Sequence, residues 1–281
     1  MNLADINTIK KFMGEGFAFK KSMGQNFLIN PEVCPRMAEA AADKDTAVLE
    51  IGPGIGVLTR ELSRVAGKVV AIELDNSLKN ILPRTLDGCE NTEVIFGDAM
   101  KMDLKALIEE KFSDYKKIAV CANLPYYITS PIIAMLLESR LPIDNITVMV
   151  QKEAAERICA KVGSRESGAI TVMVNYFAES EILFNVNKES FMPPPKVTSS
   201  VIKLNVRQKP PISVADEAFF FRFVKACFAQ RRKTMLNTVS NTMHIEKDII
   251  RAALKELGIP ETVRSEQLSM EQLAEIANKL K

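Results

Sequence analysis

Residues 47–59 read AVLEIGPGIGVLT. The apolar run before the first glycine predicts a short, buried parallel strand. Glycines follow at positions 52, 54 and 56, and the apolar spacing from Val57 onward changes to that of a helix. Glycines at a strand-to-helix turn permit positive φ and let a ligand approach the backbone N–H groups at the start of the helix. The stretch therefore predicts a ligand-binding turn in an α/β fold.

Two glutamates accompany this turn. Glu50 precedes the first glycine, and Glu73 ends the next apolar run, Val69–Ile72. In an open α/β sheet, a carboxylate at that second position accepts hydrogen bonds from ribose hydroxyls. The G-x-G-x-G spacing differs from the G-x-G-x-x-G of dinucleotide folds, and Glu50 would repel a pyrophosphate but tolerate an ammonium group. Both points favour S-adenosylmethionine over a nicotinamide dinucleotide. The alternative is an ordinary turn with an exposed glutamate.

The composition limits the classes of protein to which the chain can belong. At 281 residues it can form one large domain and a smaller one. The five cysteines form no C-x-x-C pair and His244 is the single histidine, so we expect a reducing compartment and neither zinc nor histidine-based catalysis. No apolar run approaches membrane-spanning length, and the N-terminus lacks a signal-peptide core. We therefore expect a cytoplasmic protein, a monomer, with no membrane or metal partner.

Short apolar runs that alternate with helical patterns predict a parallel sheet. These runs are Ala47–Ile51, Val69–Ile72, Val94–Phe96, Lys117–Ala122 and Ile146–Val150. Two later runs, Ile182–Val186 and Ser199–Leu204, are separated by too little chain for a helical crossover, so they should pair antiparallel. The composition shifts near Pro210–Pro211 and is helical in pattern afterwards. We predict an α/β fold with a mostly parallel sheet over residues 1–208 and a small helical domain over residues 209–281.

Two polar side chains follow the predicted third and fourth strands. Asp98 comes just after Val94–Phe96, and Asn123 ends the run that begins at Lys117. The carboxyl ends of parallel strands line the ligand crevice of such sheets. Asp98 could therefore accept a hydrogen bond from the exocyclic amine of a cofactor adenine, unless it only caps the segment that follows.

The tetrapeptide from Asn123 to Tyr126 reads Asn-Leu-Pro-Tyr. The Asn123 side-chain oxygen and the Leu124 carbonyl could accept the two hydrogens of a base amine and aim its lone pair at a methyl donor. Pro125 keeps Leu124 extended, and Tyr126 offers a flat face for the base, a contact worth about 1–3 kcal/mol. A neutral asparagine also leaves a sulfonium reactive. A plain turn at the end of a strand is the alternative.

A second aromatic residue, Phe191, precedes the prolines at 193–195. A proline-stiffened loop could hold its ring against the other face of a flipped base. Simple core filling is the competing explanation for Phe191. By contrast, the phenylalanines at 219–221 and 223 have the spacing of a buried helix face.

The positive charges are concentrated in two stretches. Between Ala218 and Ile245 there is no acidic residue, and residues 10–21 near the N-terminus contain four lysines and a single acid, Glu15. One-sided basic stretches suggest a polyanion partner, although solvated helix surfaces are an equally good reading of charge alone. The candidate RNA-binding residues are Lys20, Lys21, Arg222, Lys225, Arg231, Arg232 and Lys233.

Four stretches together resemble the ribosomal RNA adenine dimethylases, in the branch that modifies 16S rRNA. They are SMGQNFL (22–28), EIGPG (50–54), NLPY (123–126) and FMPPPKV (191–197). The resemblance implies a Rossmann-like, S-adenosylmethionine-dependent methyltransferase domain with a helical C-terminal domain. It also implies dimethylation of N6 on two adjacent adenosines near the 3′ end of 16S rRNA, in the 30S subunit or its assembly precursor.

The resemblance also implies roles for individual residues. Those that would line the cofactor are Asn26, Leu28, Gly52, Glu73, Asp98 and Asn123, together with Glu50 and Gly54 of the glycine turn. Those that would hold the adenine are Asn123, Leu124, Tyr126 and Phe191.

Three other functions remain open at the level of sequence. A methylase of 23S rRNA shares most of these motifs but usually has isoleucine in place of Leu124. A nicotinamide oxidoreductase would need the glycine turn without the Asn123–Tyr126 motif. A non-catalytic RNA-binding assembly factor could use the same fold.

Overall fold

The structure is a computed structural model that describes Leu3, Thr8 and residues 27–230 and 232–281. The candidate site residues Lys20, Lys21, Asn26 and Arg231 lie outside the described residues. Within the described part, the main sheet has seven strands in the order β4-β3-β2-β5-β6-β9-β7, and β1 and β8 form a separate two-stranded sheet. The strands are β1 (Phe27–Leu28), β2 (Thr46–Ile51), β3 (Lys68–Glu73), β4 (Thr92–Phe96), β5 (Lys117–Asn123), β6 (Asn145–Gln151), β7 (Ala178–Val186), β8 (Phe191–Met192) and β9 (Ser199–Val206).

Helices connect most of these strands, and more helices follow β9. The α-helices are α1 (Val33–Ala41), α2 (Val57–Val65), α3 (Leu82–Thr85), α4 (Leu104–Lys111), α5 (Thr129–Glu138), α6 (Lys152–Ile158), α7 (Ala169–Phe177), α8 (Glu217–Cys227), α9 (Met235–Met243), α10 (Lys247–Glu256) and α11 (Met270–Leu280). Short 3-10 turns occur at Asn76–Asn80, Tyr126–Ile128, Lys188–Ser190 and Ser265–Gln267.

The central strands are parallel, as the sequence predicts. Strand β2 pairs in parallel with β3 on one side and with β5 on the other, and β4 and β6 extend the sheet outward. Every residue of β2 is buried, which explains its continuous apolar sequence. The chain leaves β2 in one direction for β3 and later returns to its other side for β5. This reversal of strand order creates a crevice at the carboxyl ends of β2 and β5.

The sheet contains an antiparallel strand at β9, whereas the sequence predicts antiparallel pairing between β7 and β9, which are neighbours in the sheet. Strand β9 pairs antiparallel with β6, from Asn145 opposite Asn205 to Gln151 opposite Ser199. Strand β7 lies beside β9 at the edge of the sheet and begins at Ala178, earlier than the apolar run at Ile182 predicts. Its first residues alternate between buried and exposed positions, so the apolar run marks only the second half of the strand.

From its capping residues the sequence also predicts a helix that Asn30 caps and that starts at Pro31, and a helix that Asn76 caps and that runs through Leu82; both predictions are wrong. The helix after Asn30 begins at Val33, and the Asn30 side chain instead accepts a hydrogen bond from the Glu32 N–H at 3.0 Å. The segment after Glu73 is a 3-10 turn that is capped by Asp75, not by Asn76. In both places a short polar side chain bonds its own backbone two residues onward, which competes with helix formation.

The chain divides into two compact units that do not follow the sequence in order. One comprises residues 1–155 and 181–206, and the other comprises residues 156–180 and 207–281. The second unit therefore includes part of α6 and all of α7, which the predicted domain boundary at residue 208 assigns to the first domain. The division into domains at residue 208 stays a prediction. The core of the second unit contains Phe177 and Phe221, whose rings stack on each other with their centroids 5.2 Å apart. No helix among the described residues is both long and apolar enough to cross a membrane.

Candidate active site

A cavity opens at the carboxyl ends of β2, β3, β4 and β5, within the first unit. Each described residue that the sequence assigns to the cofactor or to the adenine lines this cavity. These residues are Leu28, Glu50, Gly52, Gly54, Glu73, Asp98, Asn123, Leu124, Tyr126 and Phe191. They come from positions far apart in the chain, and the parallel sheet brings them together because its carboxyl ends share one edge.

Gly52 and Gly54 of the glycine turn line this cavity, and their N–H groups donate to the Ile72 carbonyl and to the Glu73 carboxylate. Gly52 and Gly56 have φ angles of 72° and 90°, in the left-handed region that favours glycine. Gly56 is the N-cap of α2, and no side chain caps this helix. The first N–H groups of α2 thus lack a side-chain partner at the end where the helix dipole is positive.

Glu73 is held at the end of β3 by the backbone. One carboxylate oxygen accepts a hydrogen bond from the Gly54 N–H at 3.0 Å, and the other accepts from the Asp75 N–H at 2.6 Å. Burial raises the pKa of Glu73, and these N–H donors oppose the shift. Each carboxylate oxygen has a second lone pair, so Glu73 can still accept from two further donors such as ribose hydroxyls.

Glu50 is the most unusual carboxyl group of the site. It is 1% exposed, it lines the cavity, and its Oε2 has no hydrogen-bond partner in the part of the chain that the structure describes. Burial raises its pKa to about 8, the Thr59 hydroxyl lowers it, and the negative charge of Glu73 raises it further. A buried acceptor without a partner is costly, and a cationic donor in the cavity would satisfy it.

Asp98 follows β4, and its side chain makes two local contacts. One oxygen accepts a hydrogen bond from the Met100 N–H at 3.0 Å, so the side chain does cap the turn after the strand. The other lies 3.5 Å from the Lys101 ammonium. The residue nevertheless lines the cavity, and a carboxylate oxygen with one local partner retains a second lone pair for an amine donor.

The tetrapeptide from Asn123 to Tyr126 forms the opposite wall. Asn123 is the last residue of β5, and its side chain makes no hydrogen bond within the described residues. Pro125 has an extended ψ of 134° and starts the 3-10 turn Tyr126–Ile128. The Tyr126 hydroxyl is hydrogen-bonded to the Ser199 hydroxyl at 2.7 Å, and burial raises the pKa of the phenol. This bond fixes the half-buried ring of Tyr126 at the cavity.

Phe191 reaches the cavity through a pairing that the sequence does not reveal. It lies in β8, where it pairs with Leu28 of β1. The Ser190 carbonyl accepts a hydrogen bond from the Ile29 N–H at 2.8 Å and thereby closes the ladder. The sequence reading of residues 20–31 and 187–198 as loops is therefore wrong at 27–28 and 191–192. Phe191 is 3% exposed and belongs to the apolar core around α1, so it fills the core and lines the cavity at once.

Several cavity residues were missed by the sequence analysis. Leu74 and Met100 follow Glu73 and Asp98, and they are 55% and 45% exposed. Their position just past a strand's carboxyl end could have identified them, as it identified the two acids. Cys34 and Ile132 come from α1 and α5 and carry no sequence signal. Burial raises the pKa of the Cys34 thiol well above its usual value, which keeps it neutral.

The basic candidates of the second unit lie on its surface. Arg222, Lys225, Arg232 and Lys233 are all exposed, and the Arg222 guanidinium lies 5.7 Å from the centre of the Phe219 ring. Phe220, Phe221 and Phe223 are buried, as the helical spacing predicts, but Phe219 is only half-buried, so the prediction is wrong for that residue. Among the described residues, no group of three or more histidine, cysteine, aspartate or glutamate side chains could hold a metal ion.

The reversed strand order, the capless helix and the acid at the end of β3 define a Rossmann-like α/β protein with a ligand crevice at the carboxyl edge of its sheet. The chain belongs to the ribosomal RNA adenine dimethylase family, whose model matches residues 16–281. It is accordingly a methyltransferase of the rRNA adenine dimethylase type.

Individual relatives and solved structures of rRNA methyltransferases are similar to this chain over most of its length. The ribosomal RNA small subunit methyltransferase A of Geobacillus thermodenitrificans is 46% identical over 94% of this chain and 92% of its own length. The crystal structure of a dimethyladenosine transferase from Plasmodium falciparum is 29% identical with a TM-score of 0.72, over 89% of this chain and 95% of that one. The structure of the 23S rRNA methyltransferase ErmE is 28% identical with a TM-score of 0.68, over 91% and 99% of the two chains.

Proposed function

We propose that this protein transfers methyl groups from S-adenosylmethionine to N6 of two adjacent adenosines near the 3′ end of 16S rRNA. The product would be N6,N6-dimethyladenosine, formed in the cytoplasm on the 30S subunit or its assembly precursor. The observation that carries the proposal is the cavity itself, where the Asn123 amide, which has no hydrogen-bond partner among the described residues, lies among Glu73, Asp98 and Phe191. The 46% identity to a small-subunit methyltransferase favours this substrate over 23S rRNA.

The chain's own groups fit S-adenosylmethionine. The unpartnered Glu50 oxygen suits the ammonium of its methionine part, and the remaining lone pairs of Glu73 suit its ribose hydroxyls. Leu74 and Met100 would flank the adenine edge that Asp98 recognises. Asn26, Leu28, Gly52 and Gly54 complete the proposed cofactor site. When bound, S-adenosylmethionine supplies an electrophilic methyl group on a cationic sulfur.

The opposite wall would hold the target adenine. Asn123 and the Leu124 carbonyl accept the two hydrogens of the adenine N6 amine and aim its lone pair at the methyl donor. Tyr126 and Phe191 hold the two faces of the base, each worth about 1–3 kcal/mol, which offsets the few kcal/mol needed to flip it. The amine loses its proton to water only after it has gained the methyl group. The wall therefore needs no strong base, and its contribution is positioning.

The nucleic acid would be held mainly by surface charge. We assign phosphate contacts to Arg222, Lys225, Arg231, Arg232 and Lys233 of the second unit, and to Lys20 and Lys21 near the N-terminus. The protein would act as a monomer and without a metal ion.

The test is methyl transfer from radiolabelled S-adenosylmethionine to unmethylated 30S particles and, separately, to 23S rRNA, followed by mapping of the labelled nucleotides. We expect label on two adjacent adenosines of 16S rRNA. Label on 23S rRNA alone would assign the protein to the other branch, which shares the fold through the structure of ErmE. RNA binding without any transfer would leave a non-catalytic assembly factor.

A further inference from the structure

One exposed aromatic side chain at the cavity has no role in the function proposed above. Tyr127 lines the cavity beside Tyr126, yet it is 63% exposed, more than Leu74 or Met100. Its side chain makes no hydrogen bond or ring contact within the part of the chain that the structure describes. An exposed aromatic ring at the mouth of a binding cavity offers a flat face on which a nucleobase can stack.

The backbone fixes the position from which the Tyr127 side chain leaves the chain. Tyr126 and Tyr127 are consecutive residues of the 3-10 turn Tyr126–Ile128, in which neighbouring side chains are about 120° apart. The turn is closed by the Ile128 N–H, which donates to the Pro125 carbonyl at 3.1 Å, and by the Thr129 hydroxyl, which donates to the same carbonyl at 3.3 Å. The turn thus carries the Tyr127 side chain beside Tyr126, whose hydroxyl is bonded to Ser199, at the mouth of the cavity.

The surroundings of Tyr127 suit a base and not a phosphate. No charged residue occurs between Asn123 and Leu137, so this wall neither attracts nor repels the RNA backbone. A nucleobase stacks on any aromatic face, and each such contact is worth about 1–3 kcal/mol. When one adenosine is flipped into the cavity, the adjacent nucleotide loses a stacking partner and exposes a face of its base.

We infer that Tyr127 stacks on the base of the nucleotide adjacent to the flipped adenosine. This inference rests on the proposed function. The two tyrosines then divide the work: Tyr126 holds the adenine that reacts, and Tyr127 holds its neighbour outside the cavity. In a target with two adjacent adenosines, the neighbour that Tyr127 retains is the next base to be methylated.

The test removes either side of the contact and measures the first methyl transfer. The substrates are small-subunit particles reconstituted with a synthetic 3′ rRNA fragment, which carries either the intact neighbour or an abasic nucleotide in its place. For the wild type, we expect the abasic nucleotide to raise KM by about tenfold with kcat little changed. Tyr127→Ala should raise KM by about the same factor on intact particles, and the abasic nucleotide should cost this variant nothing more.

Two further variants serve as controls. Tyr127→Phe keeps the ring and should behave as the wild type. Ile182→Ala removes another exposed apolar side chain, 41% exposed and outside the cavity, and should leave both KM values unchanged. S-adenosylmethionine affinity should be equal in all variants.

The inference is overturned if the KM increases from Tyr127→Ala and from the abasic nucleotide multiply when the two changes are combined. It is also overturned if the abasic nucleotide leaves the KM of the wild type unchanged, a measurement that does not depend on any variant folding. Failure of the wild type to methylate intact particles would instead refute the proposed function.

Discussion

At the scale of single residues, two polar side chains of different chemistry characterise the site. Glu50 and Asn123 end or nearly end adjacent strands, β2 and β5, and both line the cavity. Glu50 is ionisable and buried, whereas Asn123 is neutral and its side chain makes no hydrogen bond within the described residues. The proposed chemistry needs this difference, because a carboxylate suits a cofactor ammonium and a neutral acceptor leaves a sulfonium reactive.

Asn123→Ala should lower methyl transfer much more than RNA affinity. The side-chain oxygen orients the amine and contributes little to docking, and the loss of one well-placed hydrogen bond to a reacting group typically costs about 10²–10³ in rate. Single-turnover transfer at saturating S-adenosylmethionine, beside RNA binding by filter retention, makes the comparison. An unchanged single-turnover rate would remove Asn123 from the reaction.

Glu50→Gln should change how the stability of the cofactor-free protein depends on pH. The pKa of Glu50 rises from 4.5 to about 8 on folding, so the folded protein holds a proton that the unfolded chain has lost across this interval. Wild-type stability should therefore fall as pH rises from 5 to 8. The glutamine variant lacks this proton and should lose less.

Thermal unfolding at several pH values measures the difference. We expect the Tm advantage of Glu50→Gln to widen by several degrees between pH 5 and pH 8, since 1 kcal/mol shifts Tm by about 2–4 °C in chains of this size. Glu181→Gln, at an exposed position of β7, is the control and should run parallel to the wild type. Parallel curves for Glu50→Gln as well would show that Glu50 is ionised in the folded protein.

At the scale of elements, the glycine turn offers a matched pair of substitutions. Gly56 and Gly88 have similar φ angles of 90° and 80°, so alanine is strained by about 1–2 kcal/mol at either position. A Cβ at Gly56 would also lie 2.8 Å from the Leu86 side chain, whereas a Cβ at Gly88 meets nothing within 4 Å. Gly56→Ala should therefore destabilise the protein by about 1–3 kcal/mol more than Gly88→Ala. Equal losses in urea unfolding would mean that Leu86 moves aside without cost.

The elements also show what sequence can and cannot predict. Strands β2, β3 and β5 were predictable because they are buried on both faces, and because glycine or polar residues mark where each apolar run ends. The pairing of β1 with β8 was not, because two-residue strands have no periodicity and their partners lie far apart in the chain. The caps failed for a related reason: Asp75 and Asn76 are both good capping residues, and only the backbone after Glu73 decides between them.

The same contrast applies to the site. Glu73, Asp98 and Asn123 were predictable because the ends of parallel strands converge. Cys34 and Ile132 line the cavity through the packing of α1 and α5 onto the sheet, and no local pattern encodes that packing. Tyr127 was visible in the sequence, but its exposure was not.

At the scale of the whole molecule, the long acid-free basic stretch and the cavity belong to different parts of the chain. The cavity is neutral or acidic, and it belongs to the unit of residues 1–155 and 181–206. The acid-free stretch from Ala218 to Ile245 belongs to the other unit. Binding of the RNA backbone and gripping of the base should therefore be separable by mutation.

Reversal of Arg231, Arg232 and Lys233 to glutamate tests this separation. Each phosphate contact releases counterions, so the loss of three contacts on single-stranded RNA should flatten the plot of log K against log salt by about two units. RNA affinity should fall most at low salt, while S-adenosylmethionine affinity stays unchanged because the cavity is intact. The control reverses Lys105, Lys116 and Lys247, which are exposed but adjoin acidic residues; it makes the same charge change and should alter the slope far less. Equal slopes for the wild type and the Arg231–Lys233 reversal would mean that these side chains contact no phosphate.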